Sequence, residues 1–100
     1  MMDVTSHGTD NGLVVLLRGR LDTGTAPQLA SYLDELGELP AHLVFDLTEL
    51  EYLSSAGLRM LLVAHKRAAA HGGGLTVRGA SDAVHEVLEI TGFSALFTVE

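Results

Sequence analysis

Three short aliphatic segments, each followed by a stretch with helical periodicity, constrain the fold of this chain most strongly. They read "LVVLLRGR" at residues 13–20, "HLVFDL" at 42–47 and "LTVRG" at 75–79. Nearly continuous aliphatic runs of this length are typical of strands that are buried on both faces. Because strands that alternate with helices are joined by right-handed crossovers, the pattern predicts a parallel sheet with helices packed on it.

Two further segments extend this pattern at its ends. A polar strand is expected near Asp3–His7, and "TDNG" at Thr9–Gly12 predicts a hairpin, since Asn-Gly readily takes the positive φ angles of a tight turn. The apolar tail "FSALFTVE" adds a short strand. The predicted fold is α/β, with a mixed sheet of four or five strands, packed helices and the order β-β-α-β-α-β-α.

The first predicted helix has recognisable signals at both ends. Thr25 and Gln28 have the spacing of a capping box, and Pro27 is tolerated in the first turn. Gly37 is expected to end this helix. The third helix is expected to start at Ser81 or Asp82.

The second predicted helix runs from Ser55 to His71 and ends at "HGGG", after a loop of about seven residues that follows the strand at 42–47. Its periodicity predicts one apolar face and one mixed flank. The apolar face comprises Leu58, Leu61, Leu62 and Ala69, and the flank comprises Met60, Val63, Ala64 and Arg67.

Length and charge limit the classes of function. One hundred residues suit one domain, spanning 1–100, and 13 acidic against 6 basic side chains give a net charge of −7. Nucleic acid and anionic membrane surfaces are therefore not expected as partners, since both require a basic surface. Cysteine is absent and the polar N-terminus lacks a signal-peptide pattern, so a cytoplasmic location is expected.

Motifs for catalysis and metal binding are weak. Ser55 lacks the first glycine of the Gly-x-Ser-x-Gly elbow of serine hydrolases, and no partner histidine is placed by spacing. The five histidines do not form a zinc motif. "GGG" at 72–74 follows a helix and lacks the Lys-Ser/Thr of a phosphate loop. We therefore expect no catalytic residue, cofactor or metal in this chain.

The stretch "LSSAGLR" at residues 53–59 joins the end of an apolar segment to the start of the second helix. One of its two serines can cap the helix by accepting a free amide hydrogen bond. Gly57 is unfavourable in a first turn, so it indicates that another part of the chain approaches the backbone closely or that the backbone must stay exposed there. A phosphate is also well tolerated at such a helix start.

Four segments together resemble the STAS domain, and more narrowly the free-standing bacterial anti-sigma factor antagonists. They are "GRLDTGTAPQL", "HLVFDLTELEYLSSAGLRMLL", "HKRAAAHGGGLTVRG" and "VHEVLEITGFSALFTVE". The resemblance spans nearly the whole chain. Its most specific part is Tyr52–Leu58, and Gly19–Asp22 is the second anchor.

The resemblance implies that Ser55 is phosphorylated by an anti-sigma factor, a serine kinase of the GHKL type. In that family the unphosphorylated antagonist binds the kinase and frees the sigma factor, and a PP2C-type phosphatase resets the switch. Anchoring the family motif on Gly57 and Leu58 places Ser55 on the acceptor serine and Ser54 on a position that is often acidic in the family, which is a departure from its pattern. Ser54 is expected to cap the helix and Ser55 to act as the switch. The implied partner surface comprises Asp22, Thr23, Gly24, Thr25, Leu53, Ser54, Ser55, Ala56, Gly57, Arg59 and Met60.

In the alternative interpretation the chain is also a STAS domain, but it has a different function. The chain would then be an interaction module in a partner switch outside transcription, in a lipid-transport complex or in ligand sensing. An enzyme is the remaining class. Co-purification distinguishes the three interpretations. An anti-sigma factor antagonist should bring down a GHKL kinase, and a STAS module with another function should bring down a transporter or signalling subunit. An enzyme should show turnover by the protein alone.

Overall fold

A five-stranded mixed sheet with the strand order β1-β2-β3-β4-β5 forms the centre of the protein. The structure, a computed structural model, describes residues 2–100. Its elements are β1 (Met2–Gly8), β2 (Leu13–Leu21), α1 (Ala26–Leu36), β3 (His42–Leu53), α2 (Ser55–Ala69), β4 (Gly74–Arg78), α3 (Asp82–Ile90), a 3-10 turn (Phe93–Ala95) and β5 (Thr98–Val99). The predicted fold class and order are confirmed, and the apolar tail supplies the fifth strand.

The connections place the helices on one face of the sheet. β1 pairs with β2 antiparallel, whereas each later pair of neighbouring strands is parallel and joined through a helix. Right-handed crossovers that all advance in the same direction put α1, α2 and α3 on the same side. There α1 packs on α2, α2 packs on β3 and β4, and α3 packs on β3.

The core lies between the sheet and this helical layer. Leu43, Phe45 and Leu47 alternate along β3 and are completely buried, and Leu29 and Leu33 of α1 are completely buried in the same core cluster. The other face of the sheet is more polar. It carries Thr5, Arg18, Asp46, Thr76 and Arg78 around the apolar Val14, Leu16 and Val44.

The predicted hairpin between β1 and β2 is confirmed, but its turn differs from the expected one. Residues 9–12 form a four-residue loop in which the Thr9 amide donates to the Gly12 carbonyl at 2.8 Å. Neither Asn11 nor Gly12 has a positive φ angle, so that expectation was wrong. Gly12 is required for a different reason, because a Cβ there would overlap the carbonyl oxygen of His42.

The third strand is twice as long as predicted. β3 runs over His42–Leu53, whereas the sequence indicated a strand at 42–47 and then a loop of about seven residues. The prediction of a loop was wrong because the charged stretch Glu49–Leu53 continues to pair with Arg18–Leu21 of β2. Leu50 and Leu53 of this stretch are buried in the core, so its short alternation of polar and apolar residues was an overlooked strand signal.

The predicted capping box of α1 is absent. Thr25 is the N-cap residue, but its side chain makes no capping hydrogen bond. Its hydroxyl instead donates to the Arg20 carbonyl at 2.7 Å, and the Gln28 amide group donates to the Met2 carbonyl at 2.7 Å. Both side chains therefore tie α1 to the sheet, a long-range role that local spacing does not reveal.

The second helix ends two residues earlier than predicted, at Ala69. Its buried face comprises Gly57, Leu58, Leu61, Ala64 and Ala68. Ala64 thus belongs to the core face and not to the mixed flank, and Ala69 is exposed. None of the helices within residues 2–100 combines the length and apolar character needed to cross a membrane.

A bulge lets β3 continue along β2, and Asp46 stabilises it. Leu16 pairs with Asp46 but Arg18 pairs with Glu49, so β3 carries one extra residue at this point. The Asp46 carboxylate accepts hydrogen bonds from the Thr48 amide at 3.0 Å, the Thr48 hydroxyl at 2.6 Å and Arg78 Nε at 3.3 Å. Burial alone would raise the pKa of Asp46, but the bonds from Thr48 and then Arg78 outweigh it and lower the pKa.

Asp46→Asn is therefore expected to reduce the free energy of unfolding by about 0.5–1.5 kcal/mol at pH 7. A lowered folded-state pKa means that the ionised Asp46 contributes its full stability above the unfolded value, about 3.9, and loses it as the pH falls through the folded value. The difference between the variant and the wild type should consequently shrink below about pH 4. Urea unfolding between pH 2.5 and 7 measures this, with Asp10→Asn as the charge-matched control. A difference that stays constant over this range would contradict the assignment.

Candidate functional site

The carboxyl ends of β2 and β3 meet at the start of α2. Leu21 pairs with Leu53 at the end of the parallel ladder. The Ser54 amide then donates a hydrogen bond to the Leu21 carbonyl oxygen at 2.9 Å. The loop Asp22–Thr25 and the N-terminus of α2 therefore begin next to each other, as the sequence predicts.

Gly57 allows this close approach. A Cβ atom at Gly57 would lie 2.7 Å from Leu21 Cγ, 2.8 Å from Leu53 Cδ1 and 3.0 Å from the Leu21 carbonyl oxygen. Real Cβ atoms do not approach other atoms so closely. The expectation that something approaches the backbone at Gly57 is confirmed, and the approaching residues are the last ones of β2 and β3.

Ser54 is the N-cap of α2. Its backbone is extended, with φ −93° and ψ 174°, and its Oγ accepts a hydrogen bond from the Gly57 amide at 3.2 Å. The Leu58 amide donates to the Ser54 carbonyl oxygen at 2.9 Å, which closes the first turn. The predicted capping role of Ser54 is confirmed, and its hydroxyl is thereby engaged.

Ser55 has the opposite environment. It is the first helical residue of α2, and its side chain is exposed. Within residues 2–100 the Ser55 and Ala56 amides donate no hydrogen bond, and the first turn of α2 carries no acidic residue. The positive end of the helix dipole is therefore unneutralised beside an exposed hydroxyl.

The loop Asp22–Thr25 is held in shape by its own polar groups. One oxygen of Asp22 accepts from the Gly24 amide and the Thr25 amide, both at 3.0 Å. The hydrogen bond from the Thr25 amide lowers the pKa of Asp22 against the opposing effect of burial. The bonds from the Thr25 hydroxyl and the Gly24 amide and the charge of Arg20 lower it further. Asp22 stays ionised and shapes the loop, while Thr23 and Gly24 are exposed at its tip.

The other residues of the implied partner surface divide by exposure. Arg59 is exposed, and Ala56 and Met60 are half-buried. Leu53 is only 3% exposed, and Gly57 is buried against Leu21. Leu53 and Gly57 present no side-chain surface to a partner. Their observed role is in packing.

Sequence reasoning missed two residues at this end of the sheet. Arg20 and Tyr52 are register partners, and the guanidinium carbon of Arg20 lies 4.3 Å from the centre of the Tyr52 ring. Arg20 stands two residues before Asp22, and Tyr52 stands two residues before Ser54. This matched spacing could have indicated the pair, but the predicted loop after residue 47 removed Tyr52 from the sheet.

Comparison with known proteins agrees with this geometry. The family model described as the STAS domain matches residues 2–100. BtrV of Bordetella bronchiseptica, named as a proposed anti-sigma factor antagonist, is 34% identical over 99 residues, which cover 98% of this chain and 85% of BtrV. The resemblance inferred from the motifs is confirmed.

Solved structures show the same architecture. An anti-sigma factor antagonist from Mycobacterium paratuberculosis has a TM-score of 0.88 at 26% identity, covering 99% of this chain and 85% of that one. The Bacillus cell fate determinant SpoIIAA in its phosphorylated form has a TM-score of 0.71 at 16% identity, covering 100% of this chain and 91% of that one, and it shares the fold. The family model, the sequence motifs and the order of helices and strands agree, and the chain belongs to the STAS domain family.

Proposed function

We propose that this protein is an anti-sigma factor antagonist of the bacterial cytoplasm that is switched by phosphorylation of Ser55. Its unphosphorylated form binds a GHKL-type anti-sigma factor serine kinase and thereby frees the sigma factor. The observation that carries the proposal is the exposed Ser55 hydroxyl at the first position of α2, next to the loop Asp22–Thr25 and beside two amides that donate no hydrogen bond within residues 2–100. The names of the relatives, which are anti-sigma factor antagonists, support the same function.

The kinase would supply ATP and the catalytic groups, and this chain would supply the acceptor. The Ser55 oxygen forms a bond to the γ-phosphorus, the bond from that phosphorus to the bridging oxygen breaks, and the hydroxyl proton passes to a base of the kinase. The new phosphate brings about −1.5 to −2 charges to the start of α2, where the open amides and the helix dipole accommodate it. The fold therefore tolerates the modification.

Loss of binding then arises at the surface of the protein. A phosphate on Ser55 enlarges the centre of the contact area and must lose its hydration when the partner covers it. The ionised Asp22 nearby makes the patch still more negative. A PP2C-type phosphatase would remove the phosphate and restore binding, and this chain needs no catalytic residue, cofactor or metal for the cycle.

Reconstitution with purified proteins tests the proposal. The GHKL-type kinase encoded nearest to this gene is loaded with its sigma factor and titrated with the unphosphorylated protein. We expect a complex of kinase and antagonist on size exclusion, with free sigma factor that supports transcription in vitro. A sigma factor that stays bound to the kinase at saturating antagonist would contradict the proposed function.

A further inference from the structure

Arg20 and Tyr52 form a preorganised pair on the sheet at the edge of the proposed switch site. The guanidinium carbon of Arg20 lies over the Tyr52 ring, 4.3 Å from its centre, and the two residues are opposite each other in the ladder of β2 and β3. The next pair along this ladder is Leu21 with Leu53, directly before the loop Asp22–Thr25 and Ser54. The pair therefore continues the surface around Ser55 onto the sheet.

Both side chains remain accessible in the free protein. Tyr52 is 42% exposed, and the Arg20 side chain is 52% exposed. The other large exposed apolar side chains within residues 2–100 lie on helices or in the C-terminal segment: Leu36, Val63, Ile90 and Leu96. Tyr52 is thus the large exposed apolar side chain that adjoins the switch site.

The hydrogen-bonding capacity of Arg20 is unused. Its Nε forms a loose ion pair with an oxygen of Asp22 at 3.8 Å, which is beyond hydrogen-bonding distance, and no residue within 2–100 accepts a hydrogen bond from its guanidinium. Arg18, by comparison, donates to Glu49 at 3.0 Å. The contact with the Tyr52 ring holds the Arg20 guanidinium in place, so less side-chain entropy remains to be lost when an acceptor binds.

We propose that Arg20, held over Tyr52, is an anchor of the kinase interface and receives a carboxylate of the kinase. This inference rests on the proposed function and identifies the chemistry of the partner at the same site. A carboxylate fits because the guanidinium offers parallel donors in one plane. Arginine and tyrosine are also the residues most often found at the energetic centre of protein interfaces.

The pair also sets specificity. The protein carries a net charge of −7, so an acidic group on a partner is generally repelled by its surface. Arg20 creates one position where such a group is attracted. A kinase without an acidic residue at this position would desolvate the guanidinium and leave it only the 3.8 Å ion pair with Asp22, without a hydrogen-bond acceptor, which disfavours the wrong partner.

Binding of the purified GHKL-type kinase to single variants tests the inference. We expect Arg20→Ala and Tyr52→Ala to raise the Kd about tenfold or more, which corresponds to about 1.4 kcal/mol. Tyr52→Phe keeps the ring and should bind more tightly than Tyr52→Ala. Arg18→Ala is the matched control, two residues earlier on the same strand, and should bind as the wild type does. The gap between the wild type and Arg20→Ala should narrow as salt is raised from 50 to 500 mM, since it reflects an ion pair.

The outcomes separate this inference from the proposed function. If the wild type binds the kinase and is phosphorylated on Ser55, but Arg20→Ala binds equally well, the anchor is wrong and the proposed function stands. If Arg18→Ala weakens binding as much as Arg20→Ala does, the effect is one of general charge and the anchor is again wrong. If the wild type does not bind the kinase, both are wrong. A circular dichroism melting midpoint of Arg20→Ala equal to that of the wild type would show that the substitution leaves the fold intact.

Discussion

Ser55→Ala is expected to reduce phosphate incorporation by the cognate kinase to background while it still binds that kinase. The Ser55 hydroxyl is exposed, whereas the Ser54 oxygen is engaged with the Gly57 amide at 3.2 Å. Removing the Ser55 oxygen takes away the acceptor and leaves the cap, the loop and the strand ends unchanged. The antagonist would then be permanently active, and sigma-dependent transcription should stay on in the presence of kinase and ATP.

Ser54→Ala is the matched control for this result. It removes the cap of α2 and should cost about 0.5–2 kcal/mol of stability. It should still accept phosphate on Ser55, because the acceptor hydroxyl remains in place. Mass spectrometry after incubation with kinase and ATP identifies the modified residue. Phosphate on Ser54, or full labelling of Ser55→Ala, would show that the serines have been assigned the wrong way round.

Gly57→Ala is expected to lower the free energy of unfolding by about 1–3 kcal/mol, although alanine favours the helix by about 1 kcal/mol over glycine. The added methyl group would lie 2.7 Å from Leu21 Cγ and 2.8 Å from Leu53 Cδ1, so α2 or the strand ends must move. The same shift would separate Ser54 from the Leu21 carbonyl and disturb the surface around Ser55. Urea unfolding measures the loss of stability, and kinase binding should weaken in parallel.

Gly24→Ala provides the comparison for this prediction. Gly24 lies in the neighbouring loop, and a Cβ there would have only an ordinary contact, 3.4 Å from an Asp22 oxygen. The free energy of unfolding of the Gly24→Ala variant should stay within about 0.5 kcal/mol of the wild-type value. A Gly57→Ala protein as stable as Gly24→Ala would mean that the tight packing of α2 on the strand ends is not required.

The parts of the fold that local pattern determines could be predicted from the sequence. The aliphatic runs at β2, β3 and β4 mark buried strands, and Ser54 and Ser81 cap the helices that follow two of them. The parts that depend on distant contacts could not. Glu49–Leu53 alternates polar and apolar residues only briefly, and its strand pairs with β2 across two register shifts, the first of which Asp46 stabilises.

The candidate site divides in the same way. The motif that carries the resemblance places Ser55 and the loop Asp22–Thr25 correctly, because strand ends in a parallel sheet meet at one edge. The packing roles of Leu53 and Gly57 follow from burial, which the motif does not encode. The pairing of Arg20 with Tyr52 depends on the long β3 and was therefore missed.

Calorimetric titration of the kinase with two forms of this protein tests the switch most directly. One form is unphosphorylated, and the other carries a single phosphate on Ser55, verified by mass spectrometry. We predict that the phosphate raises the Kd at least about 100-fold, which corresponds to about 2.7 kcal/mol, while both forms keep the same circular dichroism spectrum. Equal affinity of the two forms, with the phosphate intact on Ser55, would contradict the proposal that this residue is the switch.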